Sequence, residues 1–147
     1  LIVIDSNSVI HRAFHALPVL SRKNGEQVNA VYGFLLVFFK ALKDFHPDFI
    51  AAAFDYPAPT FRSKIYKEYK AKRPPAPKEL YQQIPRVKYF LEALGVSFFE
   101  KEGFEGDDII GTIARLAPKK QVLPKMETII LSGDMDALQL VDDNTKI

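Results

Sequence analysis

Three carboxylates fall within four residues at Glu105-Gly106-Asp107-Asp108, between the aromatic run Ser97-Phe98-Phe99 and the apolar run Ile109 to Ala114. Two anions about 6 Å apart repel by roughly 3 kcal/mol at an effective dielectric near 20, a sizeable fraction of a small domain's stability. Crowding of that kind calls for a compensating cation. The chain has no cysteine, so thiolate sites are excluded and any metal must take oxygen or imidazole ligands. Oxygen ligation selects a hard ion, Mg2+ or Mn2+, which keeps waters and divides its coordination between a few carboxylates and substrate phosphates. Asp5, Asp55, Asp134 and Asp136 could join the same chemistry. Each acid taken alone suits a helix cap or a turn equally well.

Position is what makes the set coherent. Four short apolar runs, Leu1 to Ile4, Phe49 to Phe54, Val96 to Phe99 and Thr128 to Leu131, have the pattern of buried parallel strands. Helical patterns lie between them: Asn29 to Phe45 is apolar nearly all round, Leu80 to Leu94 is amphipathic, and Asp107 to Leu116 repeats isoleucine and leucine at helical spacing. Strand and helix in alternation predict an α/β sandwich around a parallel sheet. Asp5 and Asp55 follow the first two runs directly, Glu100 and then Glu105 to Asp108 follow the third, and Asp134 and Asp136 follow the fourth. In open α/β sheets the crevice outside the carboxyl ends of the strands is where ligands bind, so these scattered acids are expected to meet there.

The segment from Tyr56 to Pro77 differs in kind. Proline clusters bound it, and inside it Phe61, Tyr66 and Tyr69 interleave with Arg62, Lys64, Lys67, Lys70, Lys72 and Arg73. Aromatic faces stack on unpaired bases while basic side chains track phosphates, a composition suited to single-stranded nucleic acid. A solvated basic helix with packed tyrosines fits the composition as well. Leaving the sheet just after Asp55, a loop there could serve as a lid or threading element.

Net charge is only +2, but its distribution is uneven, with bases gathered between Phe61 and Lys88 and acids from Glu100 onward. One region suits a polyanion and the other a cation. The longest apolar run, Ala30 to Phe39, is about half of the roughly 20 residues that a membrane span needs, so no membrane partner is expected. The absence of cysteine favours an intracellular, cytoplasmic setting, and the start at Leu1 inside an apolar run reads as a trimmed fragment. His11 and His15 lie four apart and could share a helix face, while His46 before Pro47 reads as a helix end.

In order along the chain, Asp5-Ser6-Asn7-Ser8, His11-Arg12-Ala13-Phe14, Asn29 to Phe34, Ala53-Phe54-Asp55, Thr60-Phe61-Arg62, Tyr69 to Pro74, Glu102 to Asp108 and Gly133 to Leu140 resemble the motifs of the 5′ nuclease domain at the N-terminus of bacterial DNA polymerase I and in related flap endonucleases. The resemblance spans almost the whole chain. It implies a PIN-like three-layer sandwich with a central, mainly parallel sheet and a basic arch insert at residues 56–78. The implied activity is metal-dependent hydrolysis of DNA phosphodiesters near a 5′ end or flap, in a cytoplasmic, nucleoid-associated setting. By position it makes Asp5, Asp55, Glu105, Asp107, Asp108, Asp134 and Asp136 the acidic metal cluster. It also makes Lys70 and Arg73 the groups approaching the scissile phosphate, Tyr32 a platform for a terminal base, and Arg62, Tyr69 and Lys72 further DNA contacts. Ser6, Gly106, Lys72 and Met135 stand where the family usually has Gly, Ala, Asn and Lys. Residues 1–147 correspond to the N-terminal part of such a domain; a later acidic D-x-x-D segment and the duplex-gripping part would lie beyond Ile147, and a polymerase domain could follow.

The mechanism expected from this set is hydrolysis with two Mg2+ or Mn2+ ions roughly 4 Å apart, which activate the attacking water and neutralise the leaving 3′ oxygen. Asp5, Asp55, Glu105 and Asp107 would mainly hold one ion, and Asp108, Asp134 and Asp136 would lean toward the other. Lys70 and Arg73 would stabilise phosphoryl charge without proton transfer. Three other readings stay open: a PIN-class ribonuclease, a phosphatase using the Asp134-Met135-Asp136 pair, and a nucleic-acid-binding fragment without activity.

Overall fold

The computed structural model describes residues 1–71, 74–117 and 126–147. All four apolar runs form strands: β1 (Ile2–Asp5), β2 (Ile50–Ala53), β3 (Ser97–Phe99) and β4 (Thr128–Leu131). A fifth, β5 (Thr145–Lys146), is only two residues long and has no apolar run to announce it. Every pairing is parallel, in the order β3-β2-β1-β4-β5. Val96 to Phe99 was expected to be buried, but β3 is an edge strand and Phe99 remains 47% exposed.

The helices are α1 (Ser6–Ala16), α2 (Asn29–Phe45), α3 (Phe61–Ile65), α4 (Lys78–Tyr81), α5 (Ile84–Ala93) and α6 (Gly106–Leu116), with a 3-10 helix at Met135–Leu140. Side chains alternate across the sheet. Ile2 and Ile4 of β1 pack with Phe34 and Phe38 of α2, Leu80 of α4 and Val87 and Leu91 of α5. Val3 points the other way, onto Ile110 and Ala114 of α6 and Ile130 of β4. Three layers result. Connections toward β3 carry their helices on one face, and the return from β3 to β4 runs through α6 on the other, as a constant crossover hand requires.

The amphipathic run from Leu80 to Leu94 is not one helix. Pro85 has no N–H to donate, and its ring would clash with the carbonyl of Tyr81, so the chain breaks between α4 and α5. The break frees Gln83, which is 1% exposed. Its Oε1 accepts from the N–H groups of Ala30 and Val31 at 2.8 and 3.3 Å, capping α2, which has no side-chain cap of its own. Its Nε2 donates to Asn29 Oδ1 and to the Glu79 carbonyl. The segment that returns from the basic insert is thereby fastened to the α1–α2 layer, because Asn29 in turn donates to the Phe14 carbonyl at 2.9 Å.

Where α1 crosses α2, a Cβ on Gly33 would lie 2.6 Å from the Ala13 Cβ and 2.9 Å from a Leu17 methyl. Only glycine permits that approach. Among the described residues, no helix is long and apolar enough to cross a membrane.

Candidate metal centre

Register aligns the strand ends. Asp5 pairs with Ala53, and Ile4 pairs with Leu131. Asp55 and the Ser132-Gly133-Asp134 turn therefore emerge beside Asp5. α6, packed beneath β1 and β2, brings its N-terminal Glu105 and Asp107 to the same rim. A cleft of about 880 Å3 opens there, lined on its acidic side by Asp5, Asp55, Glu105, Asp107 and Asp134. Lys70 from the insert and Ser8, His11, Arg12 and His15 of α1 complete much of its wall.

Each acid except Asp107 is held by hydrogen bonds. Asp5, 6% exposed, caps α1 by accepting the Ser8 N–H at 3.1 Å, and its other oxygen accepts the Ser132 hydroxyl at 2.6 Å. Asp55 Oδ1 accepts the Gly106 N–H at 2.6 Å, and its own N–H is donated to Asn7 Oδ1 at 3.2 Å. Asp134 Oδ1 accepts the Asp136 N–H at 2.9 Å. Gly133 donates its N–H to Ser8 Oγ at 2.9 Å, tying the turn after β4 to the start of α1. Glu105, 7% exposed, accepts from Lys70 Nζ at 3.0 Å and from the Tyr69 hydroxyl at 3.1 Å.

The electrostatics follow from this placement. Burial first, then the charges of Asp5, Asp134 and Asp55, push the Asp107 carboxyl up to about 6, with Lys70 partly opposing. Burial also raises Asp5, against the hydrogen bonds from Ser132 and Ser8. For Lys70, partial burial pulls the ammonium down, but the hydrogen bond and charge of Glu105 outweigh it and the net shift is upward. Among the described residues, no three acidic or imidazole side chains already close around a common point. The acids share a cleft without forming a finished cage. Their chemistry still fits a hard dication: the lining acids supply only oxygen, Asp107 makes no side-chain hydrogen bond among the described residues, and a cation would oppose the burial and like-charge repulsion that raise Asp107 and Asp5.

Two of the seven predicted acids are absent from the lining. Asp108 is gripped by Arg62 through two bonds of 2.7 Å, and it reaches back to the Glu105 N–H at 2.9 Å. Arg62 accordingly holds the Asp108 carboxyl below the usual range. The physical reason is local: the third residue of a helix is placed to satisfy the N–H of the residue before its start. Asp136 is exposed and donates its N–H to Asp134. Tyr32, on the first turn of α2, is 50% exposed and lies outside the lining. Lys72 and Arg73 lie outside the described residues. Arg62 and Tyr69, expected to meet DNA, here bond to Asp108 and Glu105. Sequence reasoning had assigned no part in the site to Asn7, Ser8, Arg12 and Ser132. The polar residues directly following β1 and β4 were the available signal.

Compared with known proteins, the whole chain, residues 1–147, matches the family model described as "5′-3′ exonuclease, N-terminal resolvase-like domain". Its similarity to DNA polymerase I of Bacillus subtilis is 43% identity over 100% of this chain and 16% of that protein. To a 5′-3′ exonuclease of Aquifex aeolicus it is 41%, over 100% of this chain and 50% of that protein. The chain thus spans from about a sixth to half of these relatives. Among solved structures it resembles the bacteriophage T5 flap endonuclease in a pseudo-enzyme–product complex with DNA and metal ions, with a TM-score of 0.69 and 16% identity over 99% of this chain and 53% of that one. At that identity the likeness speaks for the fold.

Proposed function

The chain belongs to the family of 5′-3′ exonuclease N-terminal resolvase-like domains, and from that membership we propose that its acidic cleft hydrolyses DNA phosphodiesters at a 5′ end or flap with two Mg2+ or Mn2+ ions. The observation that carries the reading is the convergence of Asp5, Asp55, Glu105, Asp107 and Asp134, from three strand ends and one helix start, on a single cleft. These five residues would hold the ions. Hard dications held there would supply Lewis-acid chemistry to the attacking water and the leaving 3′ oxygen.

The chain's own residues do the rest. Asp5 and Asp55 are oriented by their hydrogen bonds from Ser8, Ser132 and Gly106, so little reorganisation is needed when a cation arrives. Lys70, which lines the cleft, exchanges its bond to Glu105 for one to a phosphoryl oxygen, leaving Glu105 with the Tyr69 hydroxyl and able to ligate through its other oxygen. Arg12 and His15 extend the wall with groups suited to a phosphate backbone. Asp108, outside the cleft lining, keeps Arg62 in place. Arg73 and Lys72 are assigned to the phosphate, and Tyr32 to a terminal base, on the family motif alone. Residues 56–78 act as the arch over a threaded strand. The DNA polymerase I relatives support a polymerase module in the same polypeptide.

Cleavage of a 5′-labelled DNA flap, titrated with Mg2+, tests the reading. Asp134→Asn should abolish the metal-dependent product while changing flap affinity less than about threefold. Equal turnover by the variant and the wild type would remove Asp134, and the cleft with it, from the chemistry.

A further inference from the structure

One hydroxyl joins the ends of β1, the central strand, and its neighbour β4. Ser132 Oγ donates to Asp5 Oδ2 at 2.6 Å and accepts the N–H of Asp134 at 3.0 Å. Asp5 terminates β1, and Asp134 lies three residues beyond the end of β4, the strand paired with β1. Asp5 has its second oxygen fixed by the Ser8 N–H, so Ser132 removes the remaining freedom of a carboxylate that is 6% exposed. A hydroxyl is well suited to this double task, since it donates one hydrogen bond and accepts two. Alanine can do neither.

We propose that Ser132 is a positioning residue for the cation site, setting the orientation of Asp5 and the spacing between Asp5 and Asp134. This rests on the metal reading of the cleft. Ser132 itself touches no reacting atom; it acts through the Asp5 carboxylate and the backbone of Asp134. Outer-shell partners of ligating groups typically change metal affinity by 10–100-fold when removed. Mg2+ demands near-ideal octahedral geometry, whereas Ca2+ accepts six to eight oxygens in flexible arrangements. Loss of positioning therefore penalises Mg2+ more than Ca2+, while general loosening of the turn weakens both alike.

The test is Mn2+ binding to the full chain, read by electron paramagnetic resonance, with Mg2+ and Ca2+ as competitors and the thermal midpoint of the metal-free protein measured alongside. Ser132→Ala should bind Mn2+ at least about tenfold more weakly and lose more affinity for Mg2+ than for Ca2+. Ser132→Thr, which keeps the hydroxyl, should return to within about threefold of the wild type. Should Ser132→Ala fail to fold, Ser132→Cys, with a far weaker donor, replaces it under the same expectation. Wild-type affinity in the alanine variant, an equal loss for both competitors, or no rescue by threonine overturns the proposal and leaves the metal reading standing. Absence of Mn2+ binding by the wild-type chain overturns the metal reading and this proposal together.

Discussion

Asp107 is the acid with the highest proton affinity relative to its ordinary value, about 6 against 3.8, because it is partly buried beside three other carboxylates. In the unfolded chain those neighbours and that burial are gone. Between the two values the folded state holds the proton more tightly, so this residue's contribution to stability is present below about pH 4 and is lost as pH rises through 6. At 1.36 kcal/mol per unit the full effect would be about 3 kcal/mol, and solvent exposure of the group reduces it to the order of 1 kcal/mol. Asp107→Asn removes the charge and keeps the shape. In chelator, the variant should match the wild type in stability near pH 4 and exceed it by that order at pH 7, as read by urea denaturation. Added Mg2+ should reverse the ranking at pH 7, since only the wild type offers the ligand. A constant difference across pH would show that neither burial nor the neighbouring acids raise Asp107.

At the scale of elements, the close crossing of α1 and α2 sets the wall of the cleft. Ala13 contacts Gly33, while Ser8, Arg12 and His15 of the same helix line the metal side. Gly33→Ala should cost about 1–3 kcal/mol through overpacking, measured as a lowered urea midpoint at unchanged slope. The same change should weaken Mn2+ binding, since α1 carries the Ser8 N–H that orients Asp5; an unmoved metal affinity would mean that the helix yields elsewhere. The elements were largely legible in the sequence. Buried parallel strands leave continuous apolar runs, and Asp5 and Asp55 follow two of them immediately, so strand-end acids were predictable from pattern alone. Pro85 was also visible in the sequence, yet amphipathic spacing continues through it, which hid the break that Gln83 uses. Asp108 and Ser132 were harder. For Asp108 the local cap position at the start of α6 was visible, but its pairing with Arg62, 46 residues away, was not; for Ser132 the partner Asp5 lies at the other end of the chain, and no local pattern encodes either pairing.

The whole molecule separates its charges. Acids gather at one rim of the sheet, and the basic insert leaves the sheet beside them. The two regions neutralise each other directly, Lys70 on Glu105 and Arg62 on Asp108, with the Tyr69 hydroxyl donating to Glu105 as well. The Lys70 backbone adopts the left-handed conformation, with φ of 55°, where its ammonium meets Glu105. On the function proposed above, cations and phosphates would substitute for one another's partners in this arrangement: metal replaces Lys70 at Glu105, and DNA replaces Glu105 at Lys70. Binding of a flap to the basic insert should then weaken steeply with salt, because releasing condensed counterions gains less entropy as bulk salt rises. Such exchange requires a cation to enter the cleft itself. Anomalous diffraction from crystals of the chain soaked in Mn2+ examines that most directly. A peak among Asp5, Asp55, Asp107 and Asp134 is the predicted result; Mn2+ density confined to other surfaces, with those four carboxylates unliganded, would contradict the account.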